Sequence, residues 1–293
     1  ITPRRNDDVN DTWMTDSGRA LYKEIESEDR LIHYTIEGVH TASHEAAVAA
    51  AELLKSAKIA LVGSAHSSGE EQFFYQAIAE RSGAKVSLVS HLGDGDGLLQ
   101  SEDRTPNLRG ALVTGLISEL PSENLEALAR DIESGAVKTI LAVNEDLTEL
   151  GISKDTLAKV NVIYVGSHAN QTSEVAKVVL PSLMVFEKDG SFINQSFRIQ
   201  GFKAAVPGPS AVQPDFTVLE QIAAALAEEE ATAITIDTVW ERMTANIDQL
   251  SDSLRWRTLP EEGVVLDATA FLDLDFVETK NLKYDPVAFK ETH

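Results

Sequence analysis

The sequence predicts an α/β protein whose parallel sheet is covered by helices on both faces. Short, almost continuously apolar runs at residues 59–62, 139–143 and 162–165 alternate with helical patterns along the chain. A strand that is buried on both faces has such a continuous run instead of an alternating one, because neither of its faces meets water. Alternation with helices then favours right-handed crossovers between parallel strands.

The elements are predicted in order along residues 45–180. Helices are predicted over 45–57, 70–81, 122–133, 154–159 and 173–179, and strands over 59–62, 86–89, 111–116, 139–143 and 162–165. The helix over 122–133 has acidic residues in its first turn and Gly135 beyond its end, as the helix dipole and a glycine C-cap favour. Amphipathic helices are predicted over 216–230 and 238–254, with Asp215 and Asp237 as candidate N-caps.

Composition shifts divide the chain into three regions. We predict a connecting segment over residues 1–44, an α/β domain over 45–230, and a C-terminal helix and tail over 231–293. Residues 182–214 are rich in glycine, proline and phenylalanine, which indicates an ordered loop region with short strands. Ile1 is not an initiator methionine and no signal-peptide pattern follows it, so we expect a piece of a longer protein.

Charge and composition exclude several classes of function. The 293 residues include 47 acidic and 25 basic ones, and the formal net charge of −22 disfavours nucleic acid and anionic lipid as partners. Basic protein surfaces remain possible partners. The absence of cysteine excludes disulfides, thiolate zinc sites and cysteine-ligated iron–sulfur clusters. No apolar run reaches the roughly 20 residues of a membrane span, so direct membrane insertion is not expected.

Two strand-to-helix turns resemble each other. Residues 62–70 and 165–174 each contain Gly-Ser, a histidine, a polar turn and an acidic helix start, with Ser64 and Ser167 in equivalent positions. Such turns are where ligands bind in doubly wound sheets. Neither turn has a P-loop or a Gly-x-Gly-x-x-Gly pattern, and Glu70 already places negative charge at the helix start. We therefore interpret both as structural turns, with a phosphate site as the alternative.

Other polar clusters favour structural interpretations. Residues 93–97 (Gly-Asp-Gly-Asp-Gly) indicate an acidic loop more than a calcium site, and His40 and His44 have no evident third ligand, so no metal site is predicted. Trp13 is expected to be buried, with Arg19 paired to a nearby acid. Three residues after the 188–190 turn are interpreted as a polar network of the protein itself: Asn194, Arg198 and Gln200.

Several motifs in order resemble the G subunit of bacterial NADH:quinone oxidoreductase, respiratory complex I. They cover roughly residues 1–226 and are Thr-Pro-Arg at 2–4, Trp13-Met14, Gly18-Arg19, Asp-Arg-Thr-Pro-Asn at 103–107, Val-Val-Leu-Pro at 178–181, Glu-Lys-Asp-Gly at 187–190, Asn194, Arg198 and Gln200. The resemblance implies Rossmann-like parallel sheet halves of the molybdopterin oxidoreductase type, with C-terminal helices and an extended tail.

The resemblance also implies a role without a cofactor. In that subunit this domain usually lacks the pterin and acts as a scaffold, while iron–sulfur clusters lie in an N-terminal region that would precede this sequence. Thr15 stands where relatives with an extra cluster have a cysteine ligand, so no cluster is expected in this chain. The implied partners are other subunits of a respiratory or NAD-linked redox complex, on the cytoplasmic side and peripheral to the inner membrane.

Three functions remain open from the sequence. The leading one is a cofactor-free structural domain with no catalytic residue, in which Asn194, Arg198 and Gln200 bond to the protein and border no open cavity. The second is a reduced, formate dehydrogenase-like molybdopterin enzyme that binds a guanine dinucleotide pterin. There Ser64 and Ser167 would hold the phosphates, and Lys188 would contact the pterin with the same three residues. The third is an unrelated α/β binding domain.

Overall fold

A mostly parallel sheet forms the centre of the computed structural model, which describes residues 1–89, 91–95, 101–121 and 125–277. The strands are β1 (Thr35–Ile36), β2 (Val39–His40), β3 (Ile59–Gly63), β4 (Lys85–Leu88), β5 (Thr139–Val143), β6 (Asn161–Gly166) and β7 (Val178–Pro181). Their order in the sheet is β2-β1-β7-β6-β5-β3-β4, with β3 to β7 parallel and the β1–β2 pair antiparallel at one edge. The chain direction across the sheet therefore reverses between β3 and β5.

Helices cover both faces of this sheet. They are α1 (Asp16–Ala20), α2 (Ser43–Leu54), α3 (Gly69–Ser82), α4 (Leu108–Val113), α5 (Glu126–Glu133), α6 (Lys154–Leu157), α7 (Gln171–Glu174), α8 (Asp215–Leu226) and α9 (Ile236–Asn246). One apolar cluster joins α2, α3, α8 and α9 to one face, and a second joins α5 and α6 to the other. The predicted α/β fold with a parallel sheet covered on both faces is confirmed.

A small antiparallel sheet joins the C-terminal part of the chain to this core. It consists of β8 (Gly190–Ile193), β9 (Arg198–Phe202) and β10 (Val264–Val265), in the order β10-β9-β8. Short 3₁₀ helices occupy Leu21–Glu26, Trp256–Thr258 and Thr269–Phe271. Phe271 stacks on Phe197 at a centroid distance of 5.2 Å, so the C-terminal segment packs on the turn between β8 and β9.

Two predicted elements are wrong. The apolar run 111–116 was expected to be a strand, but helix α4 covers Leu108–Val113 and follows a tight network around Asn107. The predicted helix over 173–179 ends at Glu174, and Val178 begins β7. In both places a short apolar run carries no clear period, so the tertiary context decides between helix and strand.

The helix starts at residues 215 and 236 differ from the predicted capping. Pro214 is the N-cap of α8, and the Asp215 carboxylate instead accepts the backbone N–H of Leu183. Thr235, not Asp237, caps α9 by accepting the N–H of Thr238. Both helices are shorter than predicted, and residues 122–124 of the predicted 122–133 helix lie outside the described residues.

The environment of Trp13 also contradicts the prediction. Its side chain is 55% exposed, and helix α1 beside it buries no residue. Arg19 does lie near Asp16, at 3.9 Å on the surface. The most deeply buried tryptophan is instead Trp240 of α9, which is fully enclosed and donates its indole N–H to Glu70 at 2.7 Å. Within the described residues, no helix combines the length and apolarity that crossing a bilayer requires.

The contrast between the two tryptophans gives a stability test. Trp240→Ala should lower the free energy of unfolding by about 3–5 kcal/mol, because it leaves a large cavity in the core. Trp13→Ala should change it by no more than about 0.5 kcal/mol, since the ring is exposed. Urea denaturation of the two variants and the parent chain measures both values. Equal losses for both substitutions would contradict this assignment of the core.

Candidate functional site

A cleft opens at the carboxyl ends of the parallel strands. Its volume is about 450 Å³, and it lies where the direction of the chain across the sheet reverses, between β3 and β5. Ligands of doubly wound sheets bind at this reversal point. The lining residues include His66, Asn144, Tyr164, Ser167, His168, Asn170, Leu183, Met184, Lys188 and Phe192. The turns after β3, β5 and β6 therefore meet the segment before β8 around one cavity.

The two serines of the repeated turns have different surroundings. Ser167 lines the cleft, and its Oγ lies 2.9 Å from Nδ1 of His168. Ser64 is fully buried behind the cleft, where its hydroxyl donates to Oε1 of Glu145 at 2.8 Å and accepts the N–H of His66. Ser167 therefore lies at the cleft, whereas the hydroxyl of Ser64 points into the protein interior.

A buried carboxylate joins the turns beneath the cleft. Glu145 follows β5, and its second oxygen lies 2.8 Å from Nε2 of His91, a residue that follows β4. This hydrogen bond raises the pKa of His91, whereas burial lowers the pKa of His66, whose ring lies 5.6 Å from that of His91. Sequence reasoning missed Glu145 and His91, although their position after strand ends was a signal that they lie near the sheet's ligand edge.

Lys188 enters the cleft wall as part of a buried ionic group. Its Nζ lies 2.7 Å from Oε1 of Glu71 at the start of α3 and 2.8 Å from Oδ2 of Asp215 at the start of α8. Burial raises the pKa of Asp215 to about 7, against the attraction of Lys188. Burial alone would also raise the pKa of Glu71, but the charge and hydrogen bond of Lys188 outweigh it and lower that pKa. Two carboxylates thus share one ammonium.

The other three predicted residues bond to the protein, as expected. The Asn194 side-chain oxygen accepts the N–H groups of Ser196 and Arg198, each at 3.0 Å. The Arg198 guanidinium donates to the carbonyl of Glu262 at 2.8 Å, and Gln200 donates to the carbonyl of Glu261 at 3.2 Å. The residues described as lining the cleft do not include these three side chains.

The accompanying prediction that no open cavity borders them is wrong. A space of about 260 Å³ borders Asn194, and a groove of about 750 Å³ borders Gln200. Among the described residues, the groove beside Gln200 shares no lining residue with the cleft, whereas the space beside Asn194 meets the cleft at Pro106. The three residues therefore do not form one site with Ser167 and Lys188.

The metal candidates do not converge in the described part of the chain. There, no group of three or more His, Asp or Glu side chains has an arrangement that could hold a metal ion. His40 stacks on His33 at a centroid distance of 4.2 Å, away from the cleft residues. Of the acidic loop predicted over 93–97, Asp96 and Gly97 lie outside the described residues.

The comparisons with known proteins establish the family. The sequence profile of the molybdopterin oxidoreductase family matches residues 38–225, which is more than half of the chain. The chain therefore belongs to the molybdopterin oxidoreductase family. The match begins before α2 and ends in α8, so it contains the parallel strands, the small sheet up to β9 and every residue that lines the cleft except Leu21.

Individual relatives fall into two groups. The chain is 30% identical over 78 residues to the mitochondrial NADH-ubiquinone oxidoreductase 78 kDa subunit of Neurospora crassa, covering 27% of this chain and 10% of that protein. It is 29% identical over 106 residues to a putative formate dehydrogenase of Bacillus subtilis, covering 34% and 11%. A similar match, 29% over 96 residues, is to the alpha subunit of an F420-dependent formate dehydrogenase 2 of Methanococcus maripaludis, covering 29% and 14%. The chain thus spans 10% to 14% of the length of these relatives.

The buried ionic group predicts a specific pH dependence of stability. An unfolded aspartate has a pKa of about 3.9, whereas that of Asp215 in the fold is about 7. The folded chain therefore holds an extra proton between these values, and its stability should fall as pH rises through this window. Asp215→Asn should remove this slope, measured as the free energy of unfolding by urea from pH 4.5 to 8. Parallel pH profiles of parent and variant would contradict the assignment.

The Glu145 carboxylate should control the protonation of His91. Glu145→Gln should lower the pKa of His91 towards about 6.5, because the amide keeps the shape of the carboxylate without its charge. NMR titration of the histidine ring protons measures this pKa, and His91→Gln assigns the resonance. The raised pKa also means that the pair stabilises the fold fully below about pH 6.5 and loses that contribution as pH rises through the folded value. An unchanged pKa in Glu145→Gln would contradict the contact.

Proposed function

We propose that this chain is a cofactor-free structural domain of an NADH:quinone oxidoreductase G-type subunit. In this role it holds the cluster-bearing region of its subunit and neighbouring subunits in place, on the cytoplasmic side and peripheral to the inner membrane, while electrons pass from NADH through iron–sulfur clusters to quinone. The identity to the 78 kDa subunit of the Neurospora NADH-ubiquinone oxidoreductase supports the choice of complex.

The observation that carries the proposal is the neutralisation of Lys188. A guanine dinucleotide pterin brings phosphate groups, which bind best to cations or N–H groups that are free to donate. Lys188 is the one lysine or arginine among the described residues that line the cleft, and Glu71 and Asp215 already occupy its ammonium. Buried Glu145, which contacts Ser64 and His91 near the same turns, offers no side-chain N–H group to a phosphate. The residues present therefore do not fit a phosphate-bearing ligand.

The environment of Thr15 also supports a role without a cluster. Its side-chain oxygen accepts the N–H of Gly18 at 3.1 Å and caps the short helix α1. A hydroxyl in this position stabilises a helix start, and it offers no thiolate for iron.

The alternative is a reduced, formate dehydrogenase-like molybdopterin oxidoreductase. Two observations favour it: the formate dehydrogenases among the relatives, and the open cleft beside Ser167 at the reversal point of the sheet. An unrelated α/β binding domain loses its support, because the chain belongs to the molybdopterin oxidoreductase family.

Metal and pterin analysis separates the two functions. The chain should be produced in a host that makes molybdopterin, next to a complete formate dehydrogenase as the positive control. We expect molybdenum, tungsten and oxidised-pterin fluorescence at background level in this chain, because its cleft offers no free cation to a phosphate. Stoichiometric metal with pterin in this chain, at the level of the control, would establish the enzyme instead.

A second measurement tests the scaffold role itself. Affinity purification of the chain from its own cells should recover subunits with cysteine-ligated iron–sulfur clusters and NADH oxidation activity. Recovery of the chain alone, after gentle crosslinking as well as without it, would overturn the assignment to such a complex.

A further inference from the structure

A second groove lies between the N-terminal segment and the small sheet. Its volume is about 750 Å³, and in the described part of the chain it shares no lining residue with the cleft at the sheet edge. One wall is formed by residues 4–10, and the other by the end of β9 and residues 256–261. We call it the N-terminal groove. Its volume lies within the range of about 300–1,000 Å³ that small-molecule sites usually have.

Three cations line the N-terminal groove of this acidic protein. Arg4, Lys203 and Arg257 line it, against one acid, Glu261, in a chain with a net charge of −22. Arg4 pairs with Glu261 through one terminal nitrogen at 3.0 Å, and Arg257 pairs with Asp237 through Nε at 2.7 Å. Both guanidinium groups keep further N–H groups for a ligand. Because these acids lie close to the cations, a phosphate here would be held by individual N–H donors and not by a net positive field.

An aromatic platform holds two of these cations. Nζ of Lys203 lies 5.6 Å from the ring centroid of Trp256, and the guanidinium carbon of Arg257 lies 5.9 Å from it. The ring itself is buried and held by a hydrogen bond from its N–H to the carbonyl of Gly190 at 3.0 Å. Within the described residues Lys203 makes no ion pair, so its ammonium is positioned without being neutralised.

The remaining walls suit a flat heterocycle. The side-chain NH₂ groups of Asn10 and Gln200 donate to the carbonyls of Trp13 and Glu261, which leaves the amide oxygens to accept from a ligand. Val9, Phe202, Leu259 and Pro260 supply apolar surface along the same groove. Inorganic phosphate would leave this part of the groove unused, whereas a nucleobase offers both a flat face and N–H donors.

We propose that the N-terminal groove binds a nucleoside phosphate, with the phosphates between Lys203 and the arginines and the base near Asn10 and Gln200. This inference is independent of the pterin, because the groove and the cleft are lined by different residues. A nucleotide bound here would join the N-terminal segment to β9 and the C-terminal loop, and would therefore stabilise the attachment of residues 4–10.

Calorimetric titration with ADP, adenosine and pyrophosphate tests the proposal. We expect ADP to bind with a dissociation constant below about 1 mM. Adenosine and pyrophosphate should each bind at least about tenfold more weakly than ADP. Lys203→Gln should weaken ADP binding by about tenfold or more, as expected for the loss of one charge-assisted contact. Lys159→Gln is the matched control, because Lys159 is a surface lysine paired with Glu133 outside the groove.

Each outcome decides the proposal. If pyrophosphate binds as tightly as ADP, the groove is a simple anion site and the proposal is overturned. If adenosine binds as tightly as ADP, the groove takes an uncharged ligand and the proposal is overturned as well. Absence of ADP binding, or equal weakening by the Lys203 and Lys159 substitutions, would also overturn it. Thermal melting of both variants confirms that they are folded, since both side chains are on the surface.

Discussion

Two buried glutamates at the start of helix α3 hold the C-terminal half of the chain on the sheet. The Glu70 carboxylate accepts the indole N–H of Trp240 and the backbone N–H of Ser191 at 2.9 Å. Glu71 binds Lys188, and its other oxygen accepts the N–H of Ser68 at 2.6 Å. A buried carboxylate without such partners would be very costly, so helix α9, strand β8 and the loop before it must all be in place for α3 to begin where it does.

The burial of Glu70 and Glu71 changes how the acidic start of helix α3 is interpreted. In the sequence alone, acidic residues after a strand-to-helix turn indicate repulsion of a bound phosphate. The helix start does favour negative charge, through its N–H groups and dipole. In this protein both acids are internal: Glu70 and Glu71 are buried, burial raises the pKa of Glu70, and the partners of both come from the protein itself.

The sequence predicted the central strands β3, β5 and β6 because burial on both faces leaves a continuous apolar run that needs no knowledge of the partner strand. Strands β3, β5 and β6 have this property, and each was predicted to within two residues. The failures have the opposite cause. The mostly apolar run at 111–116, which contains Thr114 and Gly115, fits helix or strand equally, and only its packing decides. The exposure of Trp13 depends on what the N-terminal segment contacts, which hydrophobicity alone does not specify.

The position of the candidate site could be predicted from the sheet topology, but the contacts of its side chains could not. Topology places the turns after parallel strands at one edge, so Ser167 and the cleft could be anticipated. The partners of Arg198 and Ser64 could not, because they lie 64 and 81 residues away along the chain. Residue type gave a list of groups able to bind a ligand, but the direction in which each side chain points depends on long-range packing.

Lys188 lies at the edge of the cleft, where a lysine can either bind a ligand or form ion pairs that stabilise the fold. If its counter-ion were a ligand phosphate, removal of the ligand would leave a partly buried ammonium without a partner, which is unfavourable. Here carboxylates from α3 and α8 provide the counter-ions, and the same contacts join both helices to the segment before β8. These contacts of Lys188 do not depend on a ligand in the cleft. The proposed scaffold role is consistent with a lysine that is paired within the fold, whereas the alternative enzyme would need a lysine that is free to exchange its partner for a ligand phosphate.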